Sequence, residues 1–295
     1  MLARYRDNYE DRDPNLIDDI RSYIRDSLTI AKYSIWTFSR YRSWFLNLAV
    51  GPFLAIAPFV FLADTLVGKG NPLAGRYFDD LGYSGYIGFL VVPLMAVNLS
   101  NTVFSWISGL IRQEQLTGTL ERILVSVQFP STLFIGRALA HSLYMFFFVA
   151  ATLGLVFIWV KPDFNVDPVA GFAVVVLHLL AVYGMAFLLS SAFLRITDSW
   201  AVQTVLTRTL LAVLAGATFP ITLFPTWLQI IARMFPFTWL FDMERRALLR
   251  AETVGDLAID FAVVAAMTIV MWAAAFVLLK RELRHTKRTG SLGAF

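Results

Sequence analysis

Two glutamates in a polar stretch of the chain have the spacing of a recognition surface. Glu114 and Glu121 flank Gly118, between two long apolar blocks. At about 100° per residue, the carboxylates and the glycine share one helix face. The opposite face is apolar and comprises Leu116, Leu120, Ile123, Leu124 and Val127. A glycine inside a helix costs about 1 kcal/mol relative to alanine, so we expect another surface to approach it closely. The same pattern also fits a surface helix with merely solvated acids.

The other reactive residue types indicate no catalytic or metal site. The chain has no cysteine, and its three histidines form no recognisable set with Ser or Asp. We expect His178 to be a hydrogen-bonded packing residue within a span. Arg137 and His141 lie four residues apart near the predicted cytosolic end of another span, where both can reach the lipid headgroups.

No phosphate-binding loop of the G-x-x-x-x-G-K-[ST] type occurs in the chain, so we do not expect it to hydrolyse ATP by itself. The Gly-Lys pair at Gly68 and Lys69 lacks the required frame. The chain is therefore predicted not to be an enzyme and to hold no cofactor.

The composition places these residues in a membrane protein. Of the 295 residues, 58% are hydrophobic and 16% are charged, whereas soluble domains carry about 25% charged residues. A spanning helix needs about 20 mostly apolar residues. Six continuous apolar blocks qualify, which predicts an all-α integral membrane protein with six transmembrane helices within residues 44–280: Trp44–Ala63, Tyr86–Ser108, Thr132–Val160, Val169–Leu194, Trp200–Leu223 and Leu257–Leu279.

The distribution of Lys and Arg predicts that both termini are cytosolic. Residues 1–43 contain eight basic residues. A second group of five begins at Lys280 and continues through the C-terminal tail, which is assigned to 281–295. The first and third connections contain only Lys69, Arg76 and Lys161. This topology in the cell membrane places the polar stretch, residues 112–130, in the cytosol.

The N-terminal tail is predicted to contain an amphipathic helix. Asp13 and Pro14 are typical of a helix start, and apolar residues then recur at helical spacing from Leu16 to Phe38. Such a helix lies in the headgroup plane and its basic residues favour anionic lipid. A role in docking a protein partner remains the alternative.

Three polar residues inside the apolar blocks are candidates for lining a pathway. Asn98 and Asn101 make the second span locally polar, and Arg208 lies about two turns into the fifth. For the two asparagines an interhelical hydrogen bond is the alternative, and Arg208 can also extend to the cytosolic headgroups.

Two motifs resemble those of type-2 ABC transporter permeases. The first is E-Q-L-T-G-T-L-E at Glu114–Glu121, followed by Gly136-Arg137 at the base of the next span. Val127 stands where the family usually has a proline. The second motif runs over residues 216–246, and its matching positions are Gly216, Phe219, Pro220, Pro225, Trp227, Pro236 and Arg245.

The resemblance implies the membrane half of an ATP-driven transporter. Glu114, Gly118, Thr119, Leu120 and Glu121 would then belong to a coupling helix that docks into a cytosolic ATPase subunit. Two copies of that subunit, with ATP and Mg²⁺, would act on two permease chains, either identical or related. Residues 220–246 would form a broken hairpin that dips into the outer leaflet and closes the pathway, although an interfacial helix without a gating role fits the same pattern.

Export is the direction that the resemblance favours, because the family consists mostly of exporters. A membrane scaffold or assembly factor that recruits a cytosolic partner without transport is the alternative. No nucleic-acid partner is expected, and the sequence does not select a substrate.

Overall fold

The computed structural model describes residues 16–41, scattered positions between 43 and 61, and residues 85–116, 131–159, 165–192, 211, 214–217 and 221–289. Seven α-helices lie within these ranges, and no strand does: α1 Leu16–Arg40, α2 Gly85–Leu116, α3 Ser131–Trp159, α4 Pro168–Ala192, α5 Thr226–Arg233, α6 Pro236–Leu249 and α7 Ala258–Thr289. A 3-10 turn at Ile221–Leu223 precedes α5. The all-helical membrane class is as predicted.

Three of the described helices are long and apolar enough to cross a membrane. They contain Ile135–Leu155, Pro168–Ala192 and Ala258–Glu282, which match the third, fourth and sixth predicted spans. The second predicted span lies in α2, where Val92–Ile107 forms a shorter apolar helix. The first and most of the fifth predicted spans lie outside the described residues, so the six-span layout stays a prediction.

The helix α1 packs on the cytosolic half of α3, as assigned by the predicted topology. The two helices are in tight contact at Gly136. A Cβ atom added there would lie 2.5 Å from the backbone oxygen of Ser27 and 2.7 Å from Cβ of Ile30. Ser27 and Ala31 are buried in the same contact. Small residues let two helix backbones approach, so the glycine fixes where α1 crosses α3.

The central packing of the described bundle joins α4 to α7, α2 and α6. The indole of Trp272 on α7 donates to the backbone oxygen of Leu180 at 3.0 Å. Gly184 makes room for that indole, since a Cβ atom would lie 3.0 Å from it. Phe104, Phe237 and Phe241 are fully or almost fully buried where α6 meets α2 and α4.

The segment before α7 is broken into short helices at its prolines. The α5 helix begins after Pro225, and Pro236 is the first residue of α6. Proline at that position fits a helix start, because the first turn has no partner for its N–H groups. Thr238 and Trp239 then donate to the carbonyls of Ala232 and Arg233, which satisfies acceptors at the end of α5.

The last helix extends beyond its apolar part. The first part of the predicted basic tail, from residue 281, continues α7 as a helix to Thr289. The start of α7 is preceded by a turn in which Asp256 accepts from the N–H and the hydroxyl of Thr253, at 2.9 and 2.8 Å. These bonds hold the pKa of Asp256 below its usual value.

Replacing Gly136 by alanine should destabilise the α1–α3 contact. The added methyl group meets a backbone oxygen that cannot move without shifting α1, and overpacking of this kind costs about 1–3 kcal/mol. The expected result is a lower melting temperature in detergent and faster proteolysis within α1. Gly154→Ala on the same helix is the matched control, because its Cβ atom would meet nothing within 4 Å. Equal effects of the two variants would contradict this packing role.

Candidate functional site

The predicted coupling stretch begins inside a longer helix. The backbone of Glu114 belongs to the last turn of α2, which runs without interruption from Gly85 to Leu116. Residues 112–116 of the predicted coupling stretch therefore continue the helix of the second span, and a coupling helix within 112–130 stays a prediction. The other residues assigned to coupling, Gly118, Thr119, Leu120 and Glu121, lie outside the described residues, as does Val127.

Two residues of the second motif are joined directly. Arg245 on α6 is buried, and its Nη2 donates to the carbonyl oxygens of Gly216 and Ala217 at 2.8 and 3.1 Å. Gly216 has φ 73°, a left-handed backbone conformation that favours glycine. The glycine thus turns the chain inside the fifth predicted span, before its predicted end at Leu223, and the arginine binds the carbonyls at this turn. The motif's spacing of Gly and Arg follows from this contact.

The remaining residues of the second motif lie at the two short helices or outside the described residues. Pro225 and Pro236 precede or begin the two short helices, and Trp227 is exposed on α5. Phe219 and Pro220 lie outside the described residues. The helix α6 packs among α2, α4 and α7, with both Phe237 and Phe241 buried. These contacts fit a segment that dips into the bundle, while its role as a gate stays a prediction.

A chain of buried polar groups crosses from α2 through α4 to α6. Nε2 of His178 lies 2.8 Å from Oγ of Ser100 in a hydrogen bond, and Nδ1 lies 2.8 Å from Oε1 of Glu244. The second pair is a close contact that is not aligned as a hydrogen bond. The prediction that His178 is a hydrogen-bonded packing residue is confirmed.

Sequence reasoning did not identify Glu244 as part of this site. A signal was present nevertheless, because Phe237, Phe241 and Glu244 recur at helical spacing on one stripe of α6. A carboxylate on an otherwise aromatic stripe indicates a buried partner.

The second histidine does not extend to the headgroups as predicted. His141 is fully buried, and its Nδ1 lies 2.9 Å from the hydroxyl oxygen of Tyr183 in a hydrogen bond. Its ring stacks on Trp106, with centroids 4.3 Å apart. The reason is that α2 and α4 enclose this part of α3, which a hydropathy profile does not reveal. Arg137, one turn earlier, is only partly buried.

The three candidate pathway residues differ in their surroundings. Asn98 donates through Nδ2 to the backbone oxygen of Leu94 and also lines a cavity. Oδ1 of Asn101 is buried without a hydrogen-bond partner. Arg208 lies outside the described residues. A pathway role for these residues stays a prediction.

Four arginines precede α7, namely Arg233, Arg245, Arg246 and Arg250, and Arg246 is neutralised by acidic side chains next to it. Arg246 contacts Glu252 at 2.7 Å, Asp260 at 2.5 Å and Asp242 at 3.6 Å. Partial burial opposes the charge of this guanidinium, but hydrogen bonds to Glu252 and Asp260 outweigh it and raise its pKa. The cluster ties the end of α6 to the start of α7. Such internally paired arginines do not act as free cytosolic-side charges.

Among the residues that the structure describes, no group of three His, Asp or Glu side chains is close enough to hold a metal ion. The polar contacts of the site instead connect helices to one another. A bundle of long apolar helices with a broken segment and a buried polar core defines a membrane-embedded, multi-helix protein.

Residues 73–277 match the family model described as ABC-2 family transporter protein. Because this match covers more than half of the 295 residues, the chain belongs to that family, and the resemblance to type-2 ABC permeases is confirmed. The family provides the membrane component of a transporter and normally works with an ATPase subunit. A comparison with curated proteins gave no match.

Arg245→Leu should weaken the junction between Gly216 and α6. The substitution leaves two buried carbonyl groups without a donor, and each unsatisfied buried group costs about 1–3 kcal/mol. We expect a lower melting temperature and increased protease cleavage between residues 217 and 226. Arg233→Leu is the matched control, because that arginine is exposed on α5. If Arg245→Leu has the melting temperature and the cleavage pattern of the wild type, the contact does not stabilise the protein.

Proposed function

We propose that this chain is the permease subunit of an ATP-driven ABC exporter. The observation that carries the proposal is the family match over residues 73–277. The two motifs fall at the ends of the predicted second and fifth spans, where a transporter needs contacts with its ATPase and with the outer side. The permease lies in the cell membrane with both termini in the cytosol.

The proposed assembly contains two permease chains and two ATPase subunits. ATP and Mg²⁺ bind to the ATPase subunits and not to this chain. ATP-driven closure of these subunits moves the coupling stretch that follows α2, and the spans switch between inward and outward access. The helix α2 has its one interior proline at Pro93 and continues from there to Leu116, which supports this, since a continuous helix transmits a displacement at its cytosolic end along its length.

The broken segment before α7 serves as the outer gate in this proposal. Its support is the packing of α6 against three long helices and the hold of Arg245 on the turn at Gly216. A change in the tilt of α2 or α4 would therefore displace α6, which packs against both. The exposed α5, with Trp227 and Ile230 on its surface, can move at the outer membrane interface.

The proposed coupling is tested by reversing one charge. Glu121→Lys should abolish the effect that the permease has on the ATP hydrolysis rate of its partner ATPase in a reconstituted complex, because the carboxylate pairs with basic residues of that subunit. The measurement compares the ATPase alone, with wild-type permease and with the variant. Co-purification of the permease with the ATPase shows separately whether the complex has assembled.

Asp79→Lys is the control for this experiment, because it makes the same charge reversal in a connection predicted to lie outside. It should leave the coupling unchanged. If Glu121→Lys retains wild-type coupling, the assignment of the coupling helix is wrong. If the wild-type permease binds the ATPase but never changes its activity, a scaffold function is supported instead.

A further inference from the structure

The helix α1 exposes a stripe of large apolar side chains beside its contact with α3. Ser27 and Ala31 are buried in that contact. Four other apolar residues of α1 are 40–57% exposed, namely Ile20, Ile24, Leu28 and Ile35. At about 100° per residue, these four fall within about 80° of one another around the helix. They therefore form one continuous face, which we call the apolar stripe.

A row of basic residues borders the apolar stripe on the side away from α3. Arg21, Arg25 and Lys32 are all exposed, and they fall within about 40° of one another and next to Leu28. A shallow surface groove joins this basic row to the stripe, and its lining consists of Arg21, Ile24, Arg25, Leu28, Thr29 and Lys32. The protein contact, the apolar stripe and the basic row thus follow one another around α1. This order is typical of a helix that lies in the headgroup plane.

The contact with α3 places α1 at the edge of the membrane. Gly136, where the two helices touch, is the second residue of the apolar span Ile135–Leu155. One and two turns further along α3, Leu139 and Leu143 are exposed, as suits side chains that contact lipid tails. The apolar stripe of α1 therefore lies where the hydrocarbon begins, and the basic row lies at the level of the headgroups.

The acidic residues of α1 lie mainly to one side of the basic row. Asp18 and Asp19 belong to the first turn, where carboxylates interact favourably with the helix dipole. Asp26 contacts Nε of Arg25 at 3.5 Å, yet the side chain of Arg25 is still 75% exposed. An exposed ion pair of this kind contributes little to stability, so Arg25 can exchange it for another anion.

We propose that α1 binds an anionic phospholipid of the cytosolic leaflet, whose phosphate lies between Arg21 and Arg25. The acyl chains of this lipid then contact Ile24 and Leu28 in the apolar stripe. The two arginines are one helical turn, about 6 Å, apart along the axis, so both can donate to one phosphate through their guanidinium groups. Lys32 lies about 10 Å further along the axis and extends the positive row. A zwitterionic lipid has the same phosphate, but its ammonium group is repelled by this row.

The inference goes beyond the proposed function, because it concerns a lipid that the chain retains and not a substrate that it moves. The same helix is joined to two others. It meets α3 at Gly136, and the ring of Phe38 near its end packs edge-on against Trp106 of α2, with centroids 5.9 Å apart. A lipid that binds only the docked form of α1 therefore also stabilises its contacts with α2 and α3.

A fluorophore next to the basic row tests the proposal. The chain has no cysteine, so bimane attached to Thr29→Cys reports this position alone. The labelled full chain is placed in phosphatidylcholine nanodiscs with nitroxide-labelled phosphatidylglycerol or nitroxide-labelled phosphatidylcholine of the same acyl chains. Quenching measures how much of each lipid lies beside the fluorophore. We expect roughly tenfold preference for phosphatidylglycerol at low salt, because each basic residue at an anionic surface contributes about fivefold and Asp26 offsets part of this.

Three changes locate the site on α1. Arg21→Gln combined with Arg25→Gln should reduce the preference to about twofold or less, and Lys32→Gln should reduce it less because Lys32 lies further from the phosphate. Arg40→Gln is the matched control on the same helix and should leave the preference unchanged. The guanidinium carbon of Arg40 lies 3.6 Å from the ring centroid of Trp36, outside the basic row. The melting temperature shows that each variant is folded.

Equal quenching by the two lipids, or a preference that survives the loss of both arginines, would overturn the proposal. Relief of the quenching by millimolar inorganic phosphate would indicate a site for a free anion and would also overturn it. If neither lipid quenches and the partner ATPase changes the fluorescence, α1 is a protein-docking surface instead. The quenching assay of the permease alone contains no ATP, so its outcome does not depend on the proposed transport.

Discussion

The burial of two adjacent ionisable residues on α6 is the constraint on which the described bundle depends. Glu244 and Arg245 are each 5% exposed. Because successive helical residues point about 100° apart, they need partners on different sides of α6. Glu244 meets His178 of α4, and Arg245 meets the carbonyls at Gly216 and Ala217. A charge buried without such partners is strongly destabilising.

These partners determine how the neighbouring helices are placed. When Nδ1 of His178 faces Glu244, the other ring nitrogen, Nε2, also needs a partner. The hydroxyl of Ser100 on α2 forms that hydrogen bond. The rings of Phe237 and Phe241 pack against the same imidazole. The polar chain thus sets the relative positions of α2, α4 and α6, while the aromatic rings around it exclude water and strengthen its electrostatic interactions.

The bundle has a second, different kind of contact near the predicted cytosolic side. There α1 and α3 meet through small residues at Gly136, with backbone against backbone and without a charge. Helix contacts of this type depend on close packing. The membrane domain therefore combines a polar, specific junction around α6 with a steric junction at α1. A displacement of α2 would act directly on the first of these, because Ser100 of α2 belongs to the polar chain.

The sequence by itself determined the helical membrane class, the existence and approximate places of the third, fourth and sixth spans, and the breaks at Pro225 and Pro236. It did so because apolar length and the missing N–H of proline are local properties. It also marked Gly216 and Arg245 as members of one motif. Only the tertiary structure decided that they touch, that His141 is enclosed and not extended to the headgroups, and that Glu244 faces His178 and a cavity. These facts depend on which helix faces are neighbours, and hydropathy along one chain does not contain that information.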